Sequence, residues 1–335
     1  MKVLTVEPAN GSTGMADLIL ILPFEDKLYK YFSIILIPLL LVFNCGGQYY
    51  SFDGDTAYQY LIEQCDIGYR HPGSPGHSKA IVYYTAFFSP LSDTIIQQTF
   101  EQDIPQDNVT FTLTNIIAGF HLDAGNPLLI GAHWDTRPRA DLDPDIQKRK
   151  QPILGANDGA SGIAVLMHLA EHLSRQRPSR TVYLVLFDGE DYGYSGSLEY
   201  YCMGSEYFAK HLPIPKPTEA IIIDMIGDKE LTIPIERTSY QSHPGLIKQL
   251  WNIAKKRNFT EFQHRFGGYI HDDHVMLIRH AGIPSVDLID FEYPNRYQNF
   301  WHTTMDTPDK CSPRSLLVVG QVLYDYIYTS SIGTQ

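Results

Sequence analysis

Four short runs rich in Val, Ile and Leu, at residues 128–132, 181–187, 220–225 and 284–289, recur along the chain, and each passes into polar or acidic residues. Runs of this length and composition read as buried strands. Between and around them lie segments of helical period. Residues 161–176 place Ile163, Leu166, Met167 and Ala170 on one face, and residues 243–257, 272–281 and 313–328 are further helical segments. Such alternation predicts an α/β fold, a three-layer sandwich with helices on both faces of a mostly parallel central sheet. Ligands of open α/β sheets bind beyond the carboxyl ends of the strands. That edge is expected to carry His133-Trp134-Asp135 after the first strand and Asp188-Gly189-Glu190-Asp191 after the second. Asp224 ends the third, and Asp287 and Asp290 lie near the fourth. So many carboxylates at one edge repel one another, and a divalent cation is the simplest remedy.

The bulk numbers narrow the classes of function. With 335 residues, 44% hydrophobic, the chain can bury a sizeable core. Its net charge is -12, and its 26 Lys+Arg form no dense cluster beyond Lys148-Arg149-Lys150 and Lys255-Lys256-Arg257. A phosphate-binding footprint is missing, so nucleic acid is excluded as a partner. From Tyr49 onward there is no long linker or repeat, and residues 49–335 read as one catalytic domain. Residues 1–48 read as an N-terminal extension. Within it Lys27 and Lys30 precede an apolar run at 31–43 that stops at Asn44-Cys45-Gly46-Gly47, the layout of a signal peptide. The run is shorter than the ~20 residues of a membrane span, and Pro38 interrupts it. Cys45 after the apolar run also resembles a lipoprotein attachment site. The expectation is an exported protein, periplasmic or held at the membrane by a lipid on Cys45. The four cysteines, at 45, 65, 202 and 311, form no Cys-x-x-Cys pair, although two of the last three could bridge after export.

Individual residues then suggest a metal site. Glu190-Asp191 leaves a buried strand with diverging side chains, so one carboxylate can bind metal while its neighbour stays free for proton transfer. Asp158 lies in Gly155-Ala156-Asn157-Asp158-Gly159-Ala160-Ser161-Gly162 at a helix start. An Asp there caps a helix by default, but the flanking small residues favour a ligand. His302 follows Trp301 in a polar loop with Asp306 available to orient it. Two carboxylates and one imidazole with an open fourth position make a catalytic zinc set, Asp158, Asp191 and His302. In Asp272-Asp273-His274, Asp273 is assigned to capping the helix and Asp272 to the site. His133 and Asp135 supply either a second metal ligand with its orienting carboxylate or a hydrogen-bonded pocket wall. His71, His77, His168, His243 and His264 lack such partners in sequence and read as structural or exposed.

Taken in order, Gly131-Ala132-His133-Trp134-Asp135-Thr136-Arg137-Pro138, residues 155–162, Phe187-Asp188-Gly189-Glu190-Asp191-Tyr192-Gly193, Asp224, Asp272-Asp273-His274 and Trp301-His302-Thr303 resemble the aminopeptidase-type zinc peptidase superfamily. More closely, the set is similar to the glutaminyl cyclases within it, especially their bacterial branch, in having Asp191 as ligand and Cys202-Met203-Gly204-Ser205 after it. The resemblance implies a zinc exopeptidase-like fold and one Zn2+, or two if the chain is instead a di-zinc aminopeptidase. It implies peptides and proteins with N-terminal Gln as substrates, converted to pyroglutamate with release of ammonia. Glu190, Asp224 and Asp272 would then form the proton-handling network, and Trp301 and Ile270 would contact substrate. Two stretches depart from the cyclases. Residues 192–197 read more like the peptidase version of the loop, and residues 290–300 are long and polar.

Overall fold

The computed structural model describes residues 51–329. Two helices open the fold, α1 (Gly54–Ile67) and α2 (Pro75–Phe88), each started by a side chain that accepts from the first turn, Asp53 and Ser74. A long antiparallel hairpin follows, β1 (Thr94–Ile104) and β2 (Val109–Phe120). Next come β3 (Leu128–His133), α3 (Ala160–Arg175), β4 (Val182–Phe187), α4 (Met203–Lys210) and β5 (Glu219–Asp224). A small parallel pair, β6 (Ile233–Ile235) and β7 (Phe262–Phe266), encloses α5 (Arg237–Ser242) and α6 (Pro244–Lys256). Helix α7 (Asp273–Met276) widens into a π-helical turn at Leu277–Ala281, and β8 (Ser285–Ile289) completes the main sheet. Two short strands, β9 (Pro294–Asn295) and β10 (Gln298–Asn299), precede α8 (Pro313–Thr329).

The main sheet has the order β1-β2-β4-β3-β5-β8. Its four inner strands, β4, β3, β5 and β8, run parallel, and the hairpin adds two antiparallel strands at one edge. Every residue of β3, β4 and β8 is buried, as strands covered on both faces must be. Alternation along β4 shows the two faces. Val182, Leu184 and Leu186 pack with residues of α1, α3, α6 and α8, while Tyr183, Val185 and Phe187 pack with α4 and the π-turn. Each fully buried Leu or Ile contributes about 1.5–3 kcal/mol relative to exposure. Helix α3 lies close against the sheet: a Cβ on Gly162 would meet the carbonyl oxygen of Ile223 at 2.7 Å.

The expected three-layer α/β sandwich is therefore present, with each expected strand within two residues of its observed limits. The helices expected at 161–176, 243–257, 272–281 and 313–328 correspond to α3, α6, α7 with its π-turn, and α8. Not foreseen were α1, α2 and the β1–β2 hairpin. Strand β1 is a partly exposed edge strand carrying Gln97, Gln98, Glu101 and Gln102, so it offers no apolar run to find. Parallel pairing of the inner strands aligns their carboxyl ends, and His133, Asp188, Asp224 and Asp290 come to one edge. No helix among the described residues is long and apolar enough to cross a membrane. The expected signal segment and Cys45 lie outside the described residues.

Candidate metal centre and pocket

Two strand ends and four loops build the site. His133 and Asp224 are the last residues of β3 and β5, Glu190 and Asp191 follow β4, Asp158 precedes α3, Asp272 precedes α7, and Trp301-His302 lies between β10 and α8. Asp158 stands in the middle. Its Oδ1 is 3.2 Å from His133 Nε2, and its Oδ2 is 3.7 Å from His302 Nε2. His133 Nε2 also meets Asp224 Oδ1 at 3.1 Å, and His302 Nε2 meets Asp191 Oδ1 at 3.1 Å. Two ligand groups thus share Asp158: His133, Asp158 and Asp224 on one side, and Asp158, Asp191 and His302 on the other, each with its donor atoms within 4.8 Å of one another. Asp158 Oδ2 and Asp191 Oδ2 are buried without a hydrogen-bond partner. Buried carboxylate oxygens left unpaired call for a cation or a proton. The oxygen, oxygen and nitrogen donors of Asp158, Asp191 and His302 fit zinc.

Backbone contacts fix these side chains. Asp135 accepts from the amides of Glu190 at 3.0 Å and Asp191 at 3.3 Å, so it shapes the turn that separates the pair. It also lies 3.6 Å from His133 Nδ1. Gly159 has φ 107°, and a Cβ there would sit 2.6 Å from the Asp135 carbonyl oxygen, so the loop of Asp158 approaches that of Asp135 only through glycine. Two expectations need correction. Asp306 does not orient His302; it accepts from the amides of Asn157 at 2.8 Å and Asp158 at 3.1 Å and from the Tyr293 hydroxyl at 2.8 Å, and so buttresses the Asp158 loop. The carboxylate nearest His302 Nδ1 is Asp141, at 3.8 Å. The cap of α7 is Asp272, which accepts from the Asp273 amide at 2.6 Å while also lining the pocket, whereas Asp273 is fully buried with both oxygens unpaired.

Crowding sets the proton affinities. Burial, with Asp191, Asp272 and Asp273 nearby, pushes the Glu190 carboxyl well above the usual range, against the opposing influence of His133. Burial and Asp224 push Asp272 up to about 6, while His274 opposes them. Asp158 is raised by burial and by Asp191. Asp191 goes the other way: against burial, His302 and Arg137 hold it below the usual value. One neighbour of the pair therefore stays a ready anion while the other favours a proton. The Cys202 thiol donates to Glu190 Oε1 at 3.3 Å, and donor atoms of Glu190, Cys202 and Asp272 lie within 4.8 Å of one another.

A cavity of about 410 Å³ opens over these groups, lined by Glu190, Asp224, Asp272, Ile270, Phe291 and Trp301 among others. The Trp301 ring lies 3.8 Å from the His302 ring and 4.8 Å from Phe291. Every residue expected at the site is thus brought to one place, with His133 and Asp135 buried beside the ligand groups and outside the cavity lining. His77, read as structural, pairs with Asp188 at 2.9 Å away from the ligand groups. Sequence reasoning missed Arg137 and Asp141, and gave Cys202 no contact with Glu190. Arg137 stood inside a quoted motif, but nothing in its spacing showed that it reaches Asp191.

Comparison with known proteins gives a consistent picture. Residues 115–327 match peptidase family M28. The chain is 25% identical over 296 residues to the glutaminyl-peptide cyclotransferase of Bos taurus, covering 77% of each chain. The crystal structure of Porphyromonas gingivalis glutaminyl cyclase superposes with a TM-score of 0.81 at 31% identity, covering 85% of this chain and 100% of that one. A leucine aminopeptidase precursor from Bacteroides thetaiotaomicron superposes with a TM-score of 0.78 at 32% identity, covering 83% of this chain and 97% of that one.

Proposed function

The chain belongs to peptidase family M28, and from that premise we propose that it is a zinc-dependent glutaminyl-peptide cyclotransferase, acting on peptides and proteins with N-terminal Gln. The observation that carries this reading is the second carboxyl beside the base: Asp272 and Glu190 share one end of a pocket walled by Trp301, next to the zinc-type ligands. Hydrolysis needs a base for water. Cyclisation needs a group to hold the substrate's own amine and another to move its proton, and two carboxyls in reach of each other serve that purpose. The bovine and P. gingivalis relatives are named for this reaction.

Asp158, Asp191 and His302 would hold one zinc ion. When bound it supplies Lewis-acid polarisation of the substrate's γ-carboxamide carbonyl. Asp272 and Asp224 hold the neutral α-amine. As the amine attacks the γ-carbon and a new C–N bond forms, Glu190 takes one proton from the attacking nitrogen. Glu190 then returns the proton to the carboxamide nitrogen, the old C–N bond breaks, and ammonia leaves. Ile270 and Trp301 enclose the glutamine side chain and exclude water from the ring-closing step. In this reading His133 and Asp135 stand behind the pocket wall. Were His133 and Asp224 to hold a second zinc, the same residues would suit an aminopeptidase, in which water attacks the first peptide bond. Incubating the protein with a Gln-initiated peptide tests this. Cyclisation leaves a product lighter by one ammonia with every residue retained, and a product shortened by one residue would refute it.

The proposal extends to location: export through the segment before Cys45, with a lipid on that cysteine. Replacement Cys45→Ser then moves the protein from the membrane fraction to the soluble one, and an unchanged distribution argues against the anchor.

A further inference from the structure

We propose that Arg137 and Asp141 form a positioning pair that presents Asp191 and His302 to the metal in a single arrangement; this rests on the zinc reading but on neither choice of reaction. Arg137 is fully buried. Its Nη1 donates to Asp191 Oδ1 at 2.8 Å and to the Asp191 carbonyl at 3.1 Å. Its Nε and Nη2 each donate at 2.8 Å to the two oxygens of Asp141. Planar two-point recognition of this kind fixes orientation as well as distance. Asp141 in turn accepts from the Ser195 hydroxyl at 2.6 Å, and its Oδ1 stands 3.8 Å from His302 Nδ1. The adjacent Leu142 amide donates to the His302 carbonyl at 3.2 Å, which secures a residue whose φ is 55°. The segment from Arg137 to Leu142 therefore touches both ligands that flank Asp158 on this side.

Two consequences follow. The guanidinium holds Asp191 Oδ1, which stands 3.1 Å from His302 Nε2, while Oδ2 is buried without a partner, so the carboxylate is fixed with a free oxygen that would be available to a cation. Furthermore, a buried ion pair contributes little net stability, because desolvation offsets attraction. Holding the fold together is thus a weak reason for placing a guanidinium here, and orienting a ligand is a strong one. The group on the other side of Asp158 has no equivalent among the described contacts of Arg137.

The test compares Arg137→Met, Arg137→Lys and the double replacement Arg137→Met with Asp141→Leu. Zinc affinity is read by chelator competition, the zinc-free protein's stability by urea unfolding, and kcat and KM on the Gln-initiated peptide. Loss of an orienting partner typically weakens a metal about 10–100-fold. The expected result is a loss of that size in Arg137→Met, a smaller one in Arg137→Lys, and a double variant whose zinc-free stability recovers while its zinc affinity does not. A folded double variant that binds zinc as tightly as the parent overturns the proposal. Should it fail to fold, Asp141→Asn decides, because that change keeps the shape and weakens the grip on Arg137 together with the charge beside His302; unchanged zinc affinity there is equally contrary. Hydrolysis of the test peptide by the parent would overturn the reaction assigned above and leave the zinc result standing.

Discussion

Glu190 and Asp191 are neighbours in the chain with opposite proton affinities, and their surroundings account for the difference. Arg137 and His302 hold Asp191 as an anion, while burial among other carboxyls raises the proton affinity of Glu190. Replacement Glu190→Gln keeps the shape of the side chain and every metal ligand, so zinc content should match the parent while kcat falls about 10²–10⁴-fold. His302→Ala removes one of the three proposed ligands, and both zinc and turnover should be lost. Metal analysis beside kinetics distinguishes the two, and an active His302→Ala protein would refute the ligand set. At this scale the sequence was informative where a residue acts through its type and immediate neighbours. Asp158, Asp191, His302 and Glu190 sit at strand ends or beside glycines, where buried polar groups announce themselves. Asp306 departs from the role expected of it, and Asp141 was not foreseen beside His302, because the deciding contacts cross about 150 residues of chain, between Asp306 and Asn157 and between Asp141 and His302. No local pattern carries such information.

Among the elements, the buried parallel strands were legible because both faces are covered and their apolar runs are continuous. The hairpin β1–β2 was not, since an edge strand alternates and tolerates Gln and Glu on its open face. The segment from Glu236 to His274 shows how elements support the pocket from behind. Glu236 caps α5, accepting from the amides of Thr238 at 2.9 Å and Ser239 at 2.6 Å, and also accepts from the Ile270 amide at 3.1 Å. Its Oε2 lies 3.3 Å from His274 Nε2. Against the effect of burial, His274 and Ser239 lower its carboxyl to about 2. An acid whose folded value lies below its unfolded one stabilises fully above the unfolded value, and that contribution is lost as pH falls from about 4.5 toward about 2. Glu236→Gln should therefore lower stability by about 1–2 kcal/mol at neutral pH and lose less than the parent on acidification. Urea unfolding at neutral pH and near pH 3 measures both. Parallel acid sensitivity in the two proteins would show that Glu236 is not the titrating group.

For the molecule as a whole, fold and site came from the same feature, strands whose carboxyl ends gather acids at one edge of the sheet. Structures named for a cyclase and for an aminopeptidase precursor superpose on this fold alike, which is why ligand geometry alone does not name the reaction. What separates the two is the nucleophile: the substrate's own amine in one case, water in the other. The most direct measurement is to run the reaction in heavy-oxygen water with a Gln-initiated peptide and follow the products by mass spectrometry. Cyclisation predicts a pyroglutamyl peptide with no heavy oxygen and one ammonia released per turnover. Free glutamine carrying heavy oxygen in its new carboxylate, with no ammonia, would contradict it.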